Sequence, residues 1–137
     1  MTESLIQQIR ASHYKLAYRD FGGEVLTGVC IENRDLTGST FVAAQLGQAA
    51  FRGDVNSCSF QRAYLRYANF KGCNIQDVNF ADAVLSHATF EGAKLTRVDF
   101  RGAYFNNTDF RGAILEDCVG LPDFDGDQIF NHYTIIQ

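Results

Sequence analysis

Few groups in this chain have the types and spacing that chemistry requires. Residues 123–128, DFDGDQ, set oxygen-bearing side chains at alternate positions, as the opening of a calcium loop does. Counted from Asp123, the sixth position is Gln128 where that loop needs the sharp turn of a glycine. The twelfth is Thr134 where it needs a bidentate glutamate, so a solvated acidic turn is expected and no metal site. Ser86 and His87 are a nucleophile and a base by type. Adjacent positions need not face each other, however, and no column of Asp lies beside them to orient the imidazole. The three histidines, His13, His87 and His132, fall in separate regions without ligand spacing. Cys30, Cys58, Cys73 and Cys118 form no CxxC pair, which argues for free thiols over a zinc site or a redox dithiol. The expectation is a protein with no catalytic residues, no metal and no cofactor.

The elements that would position any site are written in a beat. With 46% hydrophobic and 20% charged residues in 137, the chain can bury one real core and is not disordered. A large apolar side chain returns every five residues at Phe60, Leu65, Phe70, Ile75, Phe80, Leu85, Phe90, Leu95, Phe100, Phe105, Phe110 and Leu115. A step of five turns a helix by about 140° and flips a strand to its other face, so neither element buries all of these centres. Two residues before each centre stands something small, from Ala63 and Ala68 to Thr108 and Ala113. Upstream the beat runs Leu26, Ile31, Leu36, Phe41, Leu46, Phe51. It then loses one residue, so that Val55 leads back into Phe60 and two registers join at GDVNS, 53–57.

A chain that turns a corner at every pentapeptide closes a square coil after four of them. Stacked coils then pair at the sheet spacing of about 4.8 Å, and each centre sits over the residue twenty earlier. The expected columns are Phe60, Phe80, Phe100 opposite Phe70, Phe90, Phe110, with Leu65, Leu85, Phe105 and Ile75, Leu95, Leu115 between them. Cys58, Cys73 and Cys118 take the small inward position, and Cys30 alone should point outward. ANFKG (68–72), VDFRG (98–102) and TDFRG (108–112) closely fit a pattern of small residue, Asp or Asn, Leu or Phe, polar residue, and Gly or variable residue. In this the chain, over roughly 24–117, resembles a pentapeptide-repeat protein. The resemblance implies an all-β fold, a right-handed quadrilateral parallel β-helix of about five coils. Glu24 and Arg34 depart from the pattern at inward positions of the first coil.

A solenoid exposes an apolar cross-section at each end and needs caps. Ser4-x-x-Gln7 resembles a capping box ahead of Leu5, Ile6 and Ile9, so a short helix is expected over about 3–12. Behind Pro122, the residues Phe124, Ile129, Phe130, Tyr133, Ile135 and Ile136 supply a second lid. The expected organisation is a helical cap over 1–20, the β-helix over 21–120, and a cap or dimerisation segment over 121–137. The run Tyr133–Ile136 is β-prone and more apolar than a terminus needs, and it motivates a homodimer.

The net charge of −4 is unevenly placed. Residues 60–115 carry seven basic against five acidic groups, a net of +2, while 116–137 hold five acidic groups and no Lys or Arg. Outward columns read as ladders of alternating sign: Asp77, Arg97, Asp117; Lys71, Glu91, Arg111; Arg62 before Asp82. One face differs. Tyr64, Val84 and Tyr104 run along one side of the Leu65, Leu85, Phe105 column and Tyr67, His87 and Asn107 along the other, with Arg66 between, a composition suited to a partner-binding face.

With no loop leaving the coil to wall a cleft, the expected function is a non-enzymatic scaffold that binds another protein through its flat faces. The alternative comes from the family: some members resemble duplex DNA in shape and charge, bind DNA gyrase and confer quinolone resistance. Duplex DNA carries one negative charge per about 1.7 Å, unlike the near-neutral body here, and five coils span only about 24 Å. No direct nucleic-acid binding is expected. The amino end lacks the apolar run of a signal peptide and no stretch of 18 apolar residues occurs, so a cytoplasmic protein away from membranes is expected.

Overall fold

The corner at every fifth residue has a local cause. In a computed structural model describing residues 4–11, 13–121 and the backbone of 134–136, φ is positive two residues after each centre. The series runs unbroken from Tyr18, after Leu16, to Asp117, after Leu115. One left-handed residue per pentapeptide redirects the chain by one corner. On two of the four faces, and at Asp35 before Leu36 on a third, the residue just before the centre braces that corner. Asn69 and Asn79 accept from the backbone N–H of Lys71 and Ala81, at 2.9 and 2.7 Å, as Asp99 and Asp109 do from Arg101 and Arg111, both at 2.9 Å. These are Asx turns, and they explain why the pattern asks for Asp or Asn at that place.

Repetition of the corner builds a parallel β-solenoid, square in section. Asp20, Thr40, Ser59, Asn79, Asp99 and Val119 pair successively as levels of one ladder. Every step spans twenty residues except Thr40 to Ser59, which spans nineteen, the place where the beat loses a residue. Strand geometry is short and confined to two faces. β1 (Cys30–Glu32) pairs with β2 (Ala50–Arg52). β3 (Asp54–Asn56), β4 (Asn74–Gln76), β5 (Lys94–Thr96), β6 (Ile114–Glu116) and β7 (Thr134–Ile136) form a five-stranded parallel sheet.

Four columns of centres fill the interior: face A with Phe21, Phe41, Phe60, Phe80 and Phe100; face B with Leu26, Leu46, Leu65, Leu85 and Phe105; face C with Ile31, Phe51, Phe70, Phe90 and Phe110; face D with Leu16, Leu36, Val55, Ile75, Leu95 and Leu115. All are buried. Rings stack within a column, with Phe70 to Phe90 at 5.0 Å and 5°, and meet edge-on across the core, with Phe70 to Phe80 at 5.5 Å and 88°. Both are favoured aromatic geometries, so the two phenylalanine faces lock together rather than only filling volume.

The first coil forms despite its two misfit residues. Phe21 stacks on Phe41 at 5.0 Å. Glu24 is exposed at the open end, and half-buried Arg34 turns its guanidinium to the carbonyl oxygens of Ile9 and Tyr14. Arg34 thereby ties the coil to α1 (Leu5–Arg10) and satisfies the Ile9 carbonyl, an acceptor that the helix end leaves free. The expected helix is present with a complete capping box, Ser4 and Gln7 bonding reciprocally, and Ile9 is buried beneath it. At the other end, β7 continues the twenty-residue register over β6, Ile135 above Leu115. The acidic turn at 123–128 and the lid residues Phe124, Ile129 and Phe130 lie outside the described residues.

Candidate functional site

The chemistry-bearing residues stay apart. His13 is exposed near α1, and His87 lies on face B among tyrosines. No hydrogen bond joins Ser86 to His87, and among the described residues no three His, Cys, Asp or Glu side chains are placed to hold a metal. Burial pushes the thiol of Cys58 up to about 12 and that of Cys73 up to about 11, with the Asp54 carboxylate adding to the second. Burial raises Cys118 too. A thiol so shifted stays protonated at neutral pH and is a poor nucleophile. Cys30 is exposed, as its outward position requires.

The charge ladders close in part. Arg97 forks onto both oxygens of Asp77, at 2.7 and 3.1 Å, and holds that carboxylate below its usual range through the hydrogen bond first. Glu91 lies 3.8 Å from both Lys71 and Arg111. Arg62 makes no ion pair with Asp82. A contact missed in the sequence is local: Arg101 and Arg111 fork back onto Asp99 and Asp109, two residues earlier in the same pentapeptide, each at 2.7 Å. These carboxylates already brace the corner, so the arginines cover a turn and present little free charge.

Face B is built differently. The place taken on face A, and on face C from Asn69 onward, by a corner-bracing Asp, Asn, Ser or Thr is taken here by Val25, Gln45, Tyr64, Val84 and Tyr104, which pair in one parallel ladder. Released from turn duty, that column can carry aromatic side chains. Tyr64 and Tyr104 are 54% and 64% exposed, and Tyr67 is 51% exposed, while Val84 and His87 are half-buried. Tyr67 and His87 stack with ring centroids 4.7 Å apart and planes at 10°. The Arg66 guanidinium lies 5.6 Å from the Tyr67 centroid, within cation–π range. Asn107 follows in the same corner column, its side-chain amide donating to Asn106 Oδ1 at 3.3 Å. Tyr67, His87 and Asn107 hold φ of 61°, 61° and 57°, conformations that bulky L-residues adopt at a cost.

All seven residues singled out from the sequence therefore share one face. The structure adds a recess of about 430 Å³ at its lower end, between Thr27, Gln45, Gly47 and Tyr64. The signal was available: Gly47 leaves a missing side chain in the outward column between Thr27 and Arg66. No helix among the described residues is long and apolar enough to cross a membrane.

The chain is similar to a pentapeptide repeat protein of the Arabidopsis thaliana thylakoid lumen at 22% identity, covering 80% of this chain and 69% of that one, with a TM-score of 0.48. It is similar to QnrB1, a plasmid-mediated fluoroquinolone resistance protein, at 21% identity over 85% and 77% of the two chains, TM-score 0.38. It is similar to HetL, a pentapeptide repeat protein involved in heterocyst differentiation regulation in Nostoc sp. strain PCC 7120, at 16% identity over 86% and 79%, TM-score 0.32. No match is found among curated proteins. A family profile described as a pentapeptide repeat region matches residues 53–119, so that part of the chain carries a pentapeptide repeat region, and the same five-residue beat extends below it.

Proposed function

We propose that this protein is a non-enzymatic scaffold, cytoplasmic, which binds another protein through face B. The observation that carries the reading is the exposure of Tyr64, Tyr67 and Tyr104 on a flat face whose outward column is free of turn bracing. Tyrosine and arginine give large contact area at low entropic cost, and Tyr64 and Tyr104, two coils apart, span roughly 10 Å. The test is capture from the native host's lysate. Tyr64→Ala with Tyr104→Ala should abolish retrieval of the wild-type partners and leave the melting curve in place. Lys71→Ala with Glu91→Ala, on another face, should retain them. Partners that survive the tyrosine change would show that these side chains are cladding of the solenoid.

The gyrase-binding alternative calls for a surface that imitates duplex charge. The body at 60–115 is net +2, and its carboxylates Asp77, Asp99 and Asp109 are already forked by arginine. Supercoiling by gyrase should proceed unimpaired with this protein at low micromolar concentration; inhibition there would replace the scaffold reading.

We also assign 121–137 a role in forming a homodimer. Support comes from β7, which leaves a parallel strand at the end of the five-stranded sheet. Light scattering should give a dimer mass that drops to a monomer, or rises through aggregation, when 129–137 are removed. A monomer at high concentration of the intact chain would end this assignment.

A further inference from the structure

The residue missing from the beat does more than shorten one coil. It breaks a ladder on one face only. On face D the rungs that flank the junction are in place: the N–H of Asn33 donates to Arg52 O at 2.9 Å and that of Gly38 to Ser57 O at 2.7 Å. Both span nineteen residues, as the corresponding corner bonds do in a full coil, for instance Asp77 N–H to Thr96 O. Corner bonds across the shortened step elsewhere, Ala43 to Gln61 and Gln48 to Arg66, span eighteen. The backbone here therefore keeps the long register, while the buried centres Leu36 and Val55 follow the short one.

Both registers cannot be satisfied across four residues, and the rungs between are absent, as they also are between 14–16 and 34–36 in the first coil. No backbone hydrogen bond joins 34–37 to 53–56. At the same place in the later coils, the N–H groups of Asn74, Lys94 and Ile114 donate to Gly53, Cys73 and Ala93 at 3.1, 2.9 and 2.9 Å, whereas that of Asp54 makes no such bond to the level below. A polar cleft of about 300 Å³ opens in the gap, between Asn33–Thr37 on one side and Asp54 and Asn56 on the other. The side-chain oxygen of Asn56, shielded from solvent, has no hydrogen-bond partner there.

The opposite wall at the same level is intact. On face B, Leu46 N–H donates to Tyr64 O at 2.8 Å, Gln48 N–H to Arg66 O at 2.8 Å and Tyr64 N–H to Ala44 O at 2.9 Å. The phenylalanine columns also cross the plane unbroken, Phe41 on Phe60 at 5.0 Å and Phe51 on Phe70 at 4.6 Å. A rod with its rungs missing on one wall and kept on the facing wall has a mouth and a hinge.

We propose that the solenoid is two jointed bodies, 5–52 and 54–121, which flex and open first at this seam, with the mouth on face D and the hinge on the tyrosine-bearing face B. In a solenoid each level is held only by its neighbours, so the weakest interface sets where the rod yields. The joint is independent of the scaffold reading, since it rests on the backbone bonds of faces D and B and on no partner. It gives the shortened step a consequence: opening the mouth bends face B at the level of Gln45 and Tyr64, where the recess lies.

The experiment is native-state amide exchange along one column of bonded amides, Leu26, Leu46, Leu65 and Leu85, in increasing denaturant. The seam predicts a step of about a hundredfold in protection between Leu46 and Leu65, with Leu26 and Leu46 released together. Simple fraying from the amino end would give a smooth gradient instead, and that result, or equal protection throughout, would overturn the proposal. A second variant inserts one glycine between Gly53 and Asp54 to restore the twenty-residue coil. It should close the mouth and reduce the step below about tenfold. A folded insertion variant with the step unchanged would also overturn it, and the wild-type profile decides the matter if that variant does not fold.

Discussion

Phe80→Ala should destabilise the protein by about 3–5 kcal/mol in a denaturant titration, and Phe90→Ala by a similar amount. Phe80 is fully buried and touches four other rings: stacked between Phe60 at 5.2 Å and Phe100 at 5.5 Å, edge-on to Phe70 at 5.5 Å and Phe90 at 5.7 Å. Removing the ring leaves a cavity that cannot collapse, because its walls are rungs held at fixed spacing by the backbone ladder on every side. The transfer cost and the cavity cost therefore both apply. Glu91→Ala is the internal standard. It removes two exposed ion pairs at 3.8 Å and should cost under about 0.5 kcal/mol. Equal effects from the two substitutions would mean that the five-residue register had been assigned to the wrong positions.

The core was legible in the sequence because the repeat makes one decision many times. Each centre from Phe60 to Leu115 is buried, and the inward small positions are filled as the beat requires, Thr108 among them with its hydroxyl donated to Leu85 O at 2.8 Å. The candidate face was legible for the same reason, since residues twenty apart must share a column. What escaped was the local hydrogen bonding around the shortened step and at the corners. The sequence locates the missing residue at 53–57, but burial alone cannot say that backbone and side chains would slip differently around it. Nor does a composition count separate Asp99 and Asp109, committed to their own corner and arginine, from a carboxylate free to meet a partner. Arg34 was out of pattern as an inward residue and makes sense only once α1 and the segment after it are seen to offer it the carbonyl oxygens of Ile9 and Tyr14.

The corner conformation explains why the tyrosine face is unusual within this fold. A left-handed residue recurs in every pentapeptide, and glycine takes that place at many corners at no steric cost. At Tyr67 and His87 the same corner is occupied by large rings that carry the conformational cost and recover part of it by stacking on each other at 4.7 Å. A solenoid built for stability alone would place glycine or asparagine there, as the next level does with Asn107. Large side chains hold the same corner elsewhere, as at Tyr18, Arg62 and Arg97, but at Tyr67 and His87 two rings on successive levels stack on each other.

The second large effect is expected at the far end of the coil, from Gly120→Ala. Gly120 holds φ of +78°, and a Cβ placed on it would lie 2.3 Å from Arg101 N, 2.5 Å from Arg101 Cα and 2.6 Å from the carbonyl carbon of Phe100. Those atoms belong to the backbone of the level below and cannot turn aside as a side chain can. The chain at 119–121 must instead lift away, which breaks the rung formed by Phe100 N–H to Val119 O at 2.8 Å and Val119 N–H to Val98 O at 3.1 Å, and draws Leu121 off the core it packs against. Conformational strain of about 1 kcal/mol and displacement of a packed level together put the loss at about 2–4 kcal/mol. Gly112→Ala separates the two terms: its φ is +70°, but the nearest atom to the new Cβ is Gly92 N at 3.7 Å. That variant should lose only the conformational part, about 1 kcal/mol. Denaturant titration ranks the pair, and amide exchange at Phe100 reports the rung directly. Gly120→Ala should deprotect it, and Gly112→Ala should leave it slow; equal stability losses with Phe100 protected in both would show that the last level is not seated on Arg101 as described.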